Sequence, residues 1–158
     1  MTKEKIQDFT IRVTTANKTE MIVILYDIAI TYLQDAIDAL SEGNNSEYRK
    51  ELGRARNTLR ELQNSVDTSI DLGMTLLKIY VYANKELTKA YMDYDEARIF
   101  HVMAMFIGLR DAYMEAGKVD KSGPVMDNVE TICSGYTYNR YLMKETVSTA
   151  EYNRGLLA

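Results

Sequence analysis

With 158 residues, 46% of them hydrophobic and 27% charged, the chain is long enough for one domain with a real core and too apolar for wholesale disorder. A formal net charge of −4 supplies no basic cluster able to displace counterions from phosphate, which sets nucleic acid aside as a partner. One Cys and one His exclude an internal disulfide and any two-histidine metal centre, and the lone Cys133 suits a reducing compartment.

Residues 1–16 mix polar with scattered apolar positions (Ile6, Phe9, Ile11, Val13) and end in the β-branched run Val13, Thr14, Thr15. They read as an extended or frayed arm. Asn17 with Glu20 three residues later is a capping-box pattern, which starts a first predicted helix that runs to about Leu40. Ser41, Glu42 and Gly43 stop it, glycine being free to take the left-handed cap. Asn44 and Glu47 repeat the capping signature, and a second helix carries Tyr48, Leu52, Ala55, Leu59, Leu62, Val66 and Ile70 at spacings of three and four. Its other side, with Arg49, Lys50, Arg54, Arg56 and Arg60, reads as a solvated face.

Near Asp71 to Gly73 the pattern shifts phase. A third helix follows to about Met92, with Leu76, Tyr80, Ala83, Leu87 and Ala90 in register. A fourth, from about Asp95 to Ala116, aligns Ile99, Val102, Met103, Phe106, Leu109 and Tyr113, and Gly117 ends it. Beyond Ser122, Gly123 and Pro124, the residues Val125, Met126, Val129, Ile132 and Cys133 have the spacing of a short fifth helix. The expected fold is all-α: an arm over 1–16, an antiparallel four-helix bundle over 17–117 with short connections, and an extension over 118–158 made of a short helix and a loosely ordered tail.

Chemistry is hard to assemble from these residues. A bundle-type dimetal centre needs Glu-x-x-His pairs, and Arg98 stands where the Glu of such a pair with His101 belongs. No Gly-rich phosphate loop and no Ser-His-Asp or Cys-His set emerges. The expectation is a protein that is not an enzyme and needs no cofactor or metal. No charged segment followed by an apolar one opens the sequence, and the longest apolar stretch is broken by Asp27 and Thr31, so neither a signal peptide nor membrane insertion is expected.

Apolar surface is in surplus. Eleven of the thirteen residues from Met21 to Leu33, and eight of the ten from Met74 to Ala83, are apolar or aromatic, whereas an amphipathic bundle helix needs only a stripe. Each such helix is either central in its own bundle or covered by a partner. A groove for an amphipathic segment is the sharper reading.

The stretch Asn17 to Asp27 (NKTEMIVILYD) resembles the helix opening of the flagellin-specific export chaperones, the FliS family. Similar blocks follow in order: Glu61, Leu62, Ser65, Val66, Asp67; Leu76, Ile79, Tyr80, Tyr82; Glu86, Leu87, Ala90; and Leu109, Arg110, Ala112, Tyr113. The sequence departs from the family pattern at Lys18, where a proline is usual, at Ser69 and Ile70, where Gly-Gly is usual, and at Tyr113, where Trp is usual. The resemblance implies a cytoplasmic antiparallel bundle that binds the disordered C-terminal segment of flagellin, prevents its premature polymerisation and aids delivery to export apparatus components. Ile22, Leu25, Tyr26, Leu76, Ile79, Tyr80, Tyr82 and Leu87 are the candidate contributors to the groove or its wall. A self-associating bundle, its surplus face buried in a homodimer, and a chaperone for another secreted client are the competing readings.

Overall fold

The computed structural model describes residues 1–126. They form α1 (Lys3–Thr15), α2 (Lys18–Ser41), α3 (Asn45–Asn64), α4 (Asp71–Asp93) and α5 (Glu96–Gly117), with no strand among the described residues. The helices α2 to α5 form a ring in which α2 packs on α3 and α5, and α4 completes the ring between those two. Short connections make successive helices antiparallel. α1 packs on the outside of α2.

The caps follow from the sequence. Asn17 Oδ1 accepts from the Glu20 amide at 2.8 Å while Glu20 Oε2 accepts from the Asn17 amide at 2.9 Å. Asn44 and Asp95 cap α3 and α5 in the same sense. Gly43 takes φ +72 after α2, as a left-handed stop requires. Tyr94, also left-handed at φ 56, is held there by its ring, which lies 5.3 Å from that of Tyr48. The Tyr48 hydroxyl donates to the Ala90 carbonyl at 2.6 Å, tying α3 to the last turn of α4.

Two expectations change. Residues 3–15 are helical, not extended. Thr2 accepts the Lys5 amide, Glu4 and Arg12 complement the helix dipole at its two ends, and the hydroxyls of Thr10 and Thr14 donate to carbonyls of their own helix. The second predicted helix ends at Asn64 rather than reaching Ile70. Val66 and Ile70 belong to the connection, which packs over Gly73 so closely that a Cβ there would meet the Asp67 carbonyl oxygen. The glycine demanded by this junction stands three residues inside α4. Val129, Ile132, Cys133 and the rest of the predicted fifth helix and tail lie outside the described residues.

The core centres on Tyr26 of α2, which is 0% exposed. Its ring packs 5.8 Å from Phe106, 5.9 Å from Tyr113 and 6.3 Å from Tyr80, between centroids. The hydroxyls of Tyr26 and Tyr80 share a hydrogen bond at 2.5 Å. Burial pushes the Tyr80 phenol up to about 12, and Tyr26 is driven upward more strongly, first by burial and then by this bond. Both stay neutral. Tyr26→Phe leaves the Tyr80 hydroxyl buried without its partner and is expected to cost about 1–3 kcal/mol of stability. Tyr26→Phe with Tyr80→Phe removes both polar atoms and is expected to recover most of that loss. Urea unfolding of the two single variants and the double checks this, and additive losses would contradict a paired hydroxyl.

Carboxylates stabilise the periphery. Glu86 sits on Lys89 Nζ (2.9 Å) and Arg98 (2.5 Å), which hold its carboxyl below the usual range. The Thr19 hydroxyl donates to Asp120 at 2.5 Å, and this bond, with those from Ser122, lowers Asp120 to about 2. A carboxyl that binds its proton less tightly when folded adds stability above the unfolded pKa and loses it as pH falls through the folded one. The melting temperature is therefore expected to drop between about pH 5 and pH 2. Asp120→Asn should shallow that decline when thermal melts are followed by circular dichroism, and an unchanged acid limb would contradict the assignment.

Candidate functional site

The surplus apolar surface meets two different fates. On α2, the outward residues Ile28 and Tyr32 face α1, sharing a cleft with Ile6, Phe9, Thr10 and Val13. Arg12 of α1 reaches Asp27 of α2 at 2.7 Å, and Arg110 of α5 approaches the other oxygen of the same carboxylate at 3.6 Å. The excess on α2 is thus covered by the chain's own first helix, the segment whose sequence read as a frayed arm.

On α4 the excess stays open. Met74, Val81 and Tyr82 are exposed, as is Phe100 on α5. Between these helices runs a trough of about 560 Å³, formed by Thr75, Lys78, Ile79 and Tyr82 of α4 with Met105, Gly108 and Leu109 of α5. A spacing of seven aligns the α4 members on one face, since Thr75 and Tyr82 are about two turns apart with Lys78 and Ile79 between them. Gly108 has open space where a Cβ would stand, so the absent side chain deepens the floor. His101 stands at the far rim, its ring edge-on to Tyr82 at 6.0 Å with Nε2 3.4 Å from the Tyr82 hydroxyl.

Of the residues singled out from sequence, Ile79 and Tyr82 line the trough, Tyr82 at 45% exposure. Ile22 and Leu25 are half-buried and pack on the edge of the core. Tyr26, Leu76, Tyr80 and Leu87 are corrected to core. All four are buried within the bundle, so they set the separation of the helices and offer no contact surface. Met105 and Gly108 were missed. Their signal was faint: with Leu109 they form an i, i+3, i+4 set beside the main apolar stripe of α5.

The lining offers apolar side chains, the Thr75 hydroxyl and one cation, Lys78, at the level of the trough. This is suited to holding an amphipathic helix by its apolar face. Among the described residues no group of three or more His, Cys, Asp or Glu is placed to hold a metal ion, and no helix is long and apolar enough to cross a membrane.

Comparison with known proteins gives the chain a family. The flagellar secretion chaperone FliS of Bacillus subtilis (strain 168) is 24% identical over 104 residues, which cover 66% of this chain and 78% of that protein. The family model described as flagellar protein FliS matches residues 1–120, and so the chain belongs to the FliS family.

Proposed function

We propose that this protein is a cytoplasmic flagellar secretion chaperone that holds the disordered C-terminal segment of flagellin and prevents its polymerisation before export. The observation that carries this reading is the open apolar trough between α4 and α5 in a member of the FliS family, and the name of the Bacillus subtilis relative supports it. A segment too polar to bury a core of its own stays unfolded, because its ordering entropy outweighs what it can gain alone. Laid along the trough as a short helix, it buries apolar anchors against Ile79, Tyr82, Met105 and Leu109, and its self-assembly surface is masked while bound. No bond is made or broken, so reversible affinity is all that the function requires. Release to export apparatus components completes the cycle.

The test is co-purification with full-length flagellin and with flagellin lacking its C-terminal segment. Only the full-length form is expected to be retained, and equal retention of both would overturn the binding mode. Tyr82→Asp places a charge at an exposed lining position and should weaken binding by roughly tenfold or more, about 1.4 kcal/mol, measured by calorimetric titration with the melting temperature unchanged. Sedimentation of the free protein separates this reading from a homodimer. A single species over a wide concentration range is expected, whereas a trough closed by a second copy would show concentration dependence.

A further inference from the structure

The cations of α3 divide between its two flanks. Lys50 pairs with Glu47 and Arg54 with Glu51. Arg49 and Arg56 turn the other way, toward α4, and neutral groups hold them there. The Arg49 guanidinium lies 5.4 Å from the ring centre of Tyr91 and 5.2 Å from that of Tyr94. Arg56 Nε donates to Asn84 Oδ1 at 3.2 Å, and Arg60, next in register, reaches Asn57 Oδ1 at 3.5 Å. Among the described residues the other arginines, Arg12, Arg54, Arg98 and Arg110, each pair with a carboxylate. A guanidinium held by its face or by one N–H still has donors to give, and a carboxylate takes two of them at once.

Gly53 completes the row. Positions 49, 53, 56 and 60 recur at intervals of four, three and four, so they share one face of α3, about 16 Å from first to last. The glycine sits in mid-helix, where it is a poorer helix former than alanine. Nothing among the described residues stands within 4 Å of where its Cβ would be. Crowding by those residues therefore gives no reason for glycine here, whereas a second backbone passing close over that point would. Opposite, α4 presents Leu77, Val81, Asn84, Thr88 and Tyr91 at the same alternating intervals, with Val81 exposed. One wall of the groove is thus cationic and the other neutral to apolar, in a chain whose net charge is −4.

We propose that this α3/α4 groove docks an acidic helix of a partner protein, one that carries carboxylates at intervals of three and four beside apolar residues. Charge complementarity selects the occupant. The three guanidinium groups repeat with the period of a helix, each can take a carboxylate in two parallel bonds, and Gly53 lets the partner's backbone approach between them. Nucleic acid suits the groove less, because its binding is driven by many cations on phosphate and the α4 row supplies none. The groove lies on the opposite flank of α4 from the trough, so the proposal does not depend on what the trough holds.

The probe is a synthetic helix of about 18 residues with Glu at the spacing of the arginine row and Leu beside it, titrated into the full-length chain. Nitrogen-15 spectra should show the Nε–H signals of Arg49, Arg56 and Arg60 shifting, and binding should weaken as salt rises. Arg49→Gln with Arg56→Gln and Arg60→Gln should weaken binding about tenfold or more, while Lys50→Gln leaves it intact. Equal affinity for the same helix with Gln in place of Glu would overturn the proposal. Tighter binding of a single-stranded oligonucleotide of equal charge would give the row to nucleic acid and overturn it too. A shift of the three signals in the free chain on Asp127→Asn, Glu130→Gln, Glu145→Gln and Glu151→Gln would assign the row to the chain's own carboxylates, with the same result. Independently, Gly53→Gln should raise the melting temperature and lower the affinity for the Glu helix severalfold. A lower melting temperature or unchanged affinity would refute the docking role of that glycine.

Discussion

The hydroxyl pair of Tyr26 and Tyr80 spans the diagonal of the bundle, joining two helices that otherwise meet only through their neighbours. Two phenols buried in an apolar centre are tolerable only if each satisfies the other. That requirement fixes more than one contact. Meeting across the diagonal demands a particular rotation of α2 and of α4 about their axes. At 100° per residue, turning Tyr80 inward places Ile79 on the flank and Tyr82 on the far side. The open trough is thus the outer consequence of an inner hydrogen bond, and Phe106 and Tyr113 of α5 complete the aromatic packing that holds the arrangement.

The same rotation decides what happens to the apolar excess. α2 presents Tyr26, Ala29 and Leu33 to the core and turns Ile28 and Tyr32 outward, where α1 lies over them. The placement of α1 also has an electrostatic component, since Asp27, one residue beyond Tyr26, receives Arg12 from α1 and Arg110 from α5. A carboxylate between two guanidinium groups orients both without needing deep burial, although each half-exposed pair contributes little stability by itself. α4 has no such escort. Its surplus face remains in contact with solvent beside α5, an apolar exposure of the kind that marks interaction surfaces in a soluble protein.

Much of the fold was legible because capping and periodicity are local. Asn17 with Glu20 and Asn44 with Glu47 announce α2 and α3 to the residue, and Gly43 and Gly117 mark helix ends from the chain alone. α1 was illegible for a physical reason. Its β-branched residues and weak apolar pattern describe a poor isolated helix, and it forms by docking on the outer face of α2, a tertiary contact that its own periodicity does not announce. The α3–α4 junction misled in a related way. Val66 and Ile70 continue the spacing of α3, yet the close approach of the Asp67 carbonyl to Gly73 breaks the helix at Asn64, a contact that periodicity does not contain.

What the sequence by itself determined is the helical class, the caps, the core stripes, the kinship carried by the ordered blocks from Asn17 to Tyr113, and the existence of more apolar surface than a bundle stripe uses. Only the tertiary structure decided how that surplus divides. Tyr26, Leu76, Tyr80 and Leu87 go to the core, Ile28 and Tyr32 go beneath α1, and Ile79 and Tyr82 join Met105 and Leu109 along the open trough. Hydrophobic periodicity reports that a residue seeks cover, but the cover itself is supplied by other helices, and their positions follow from packing and from the pairing of buried hydroxyls.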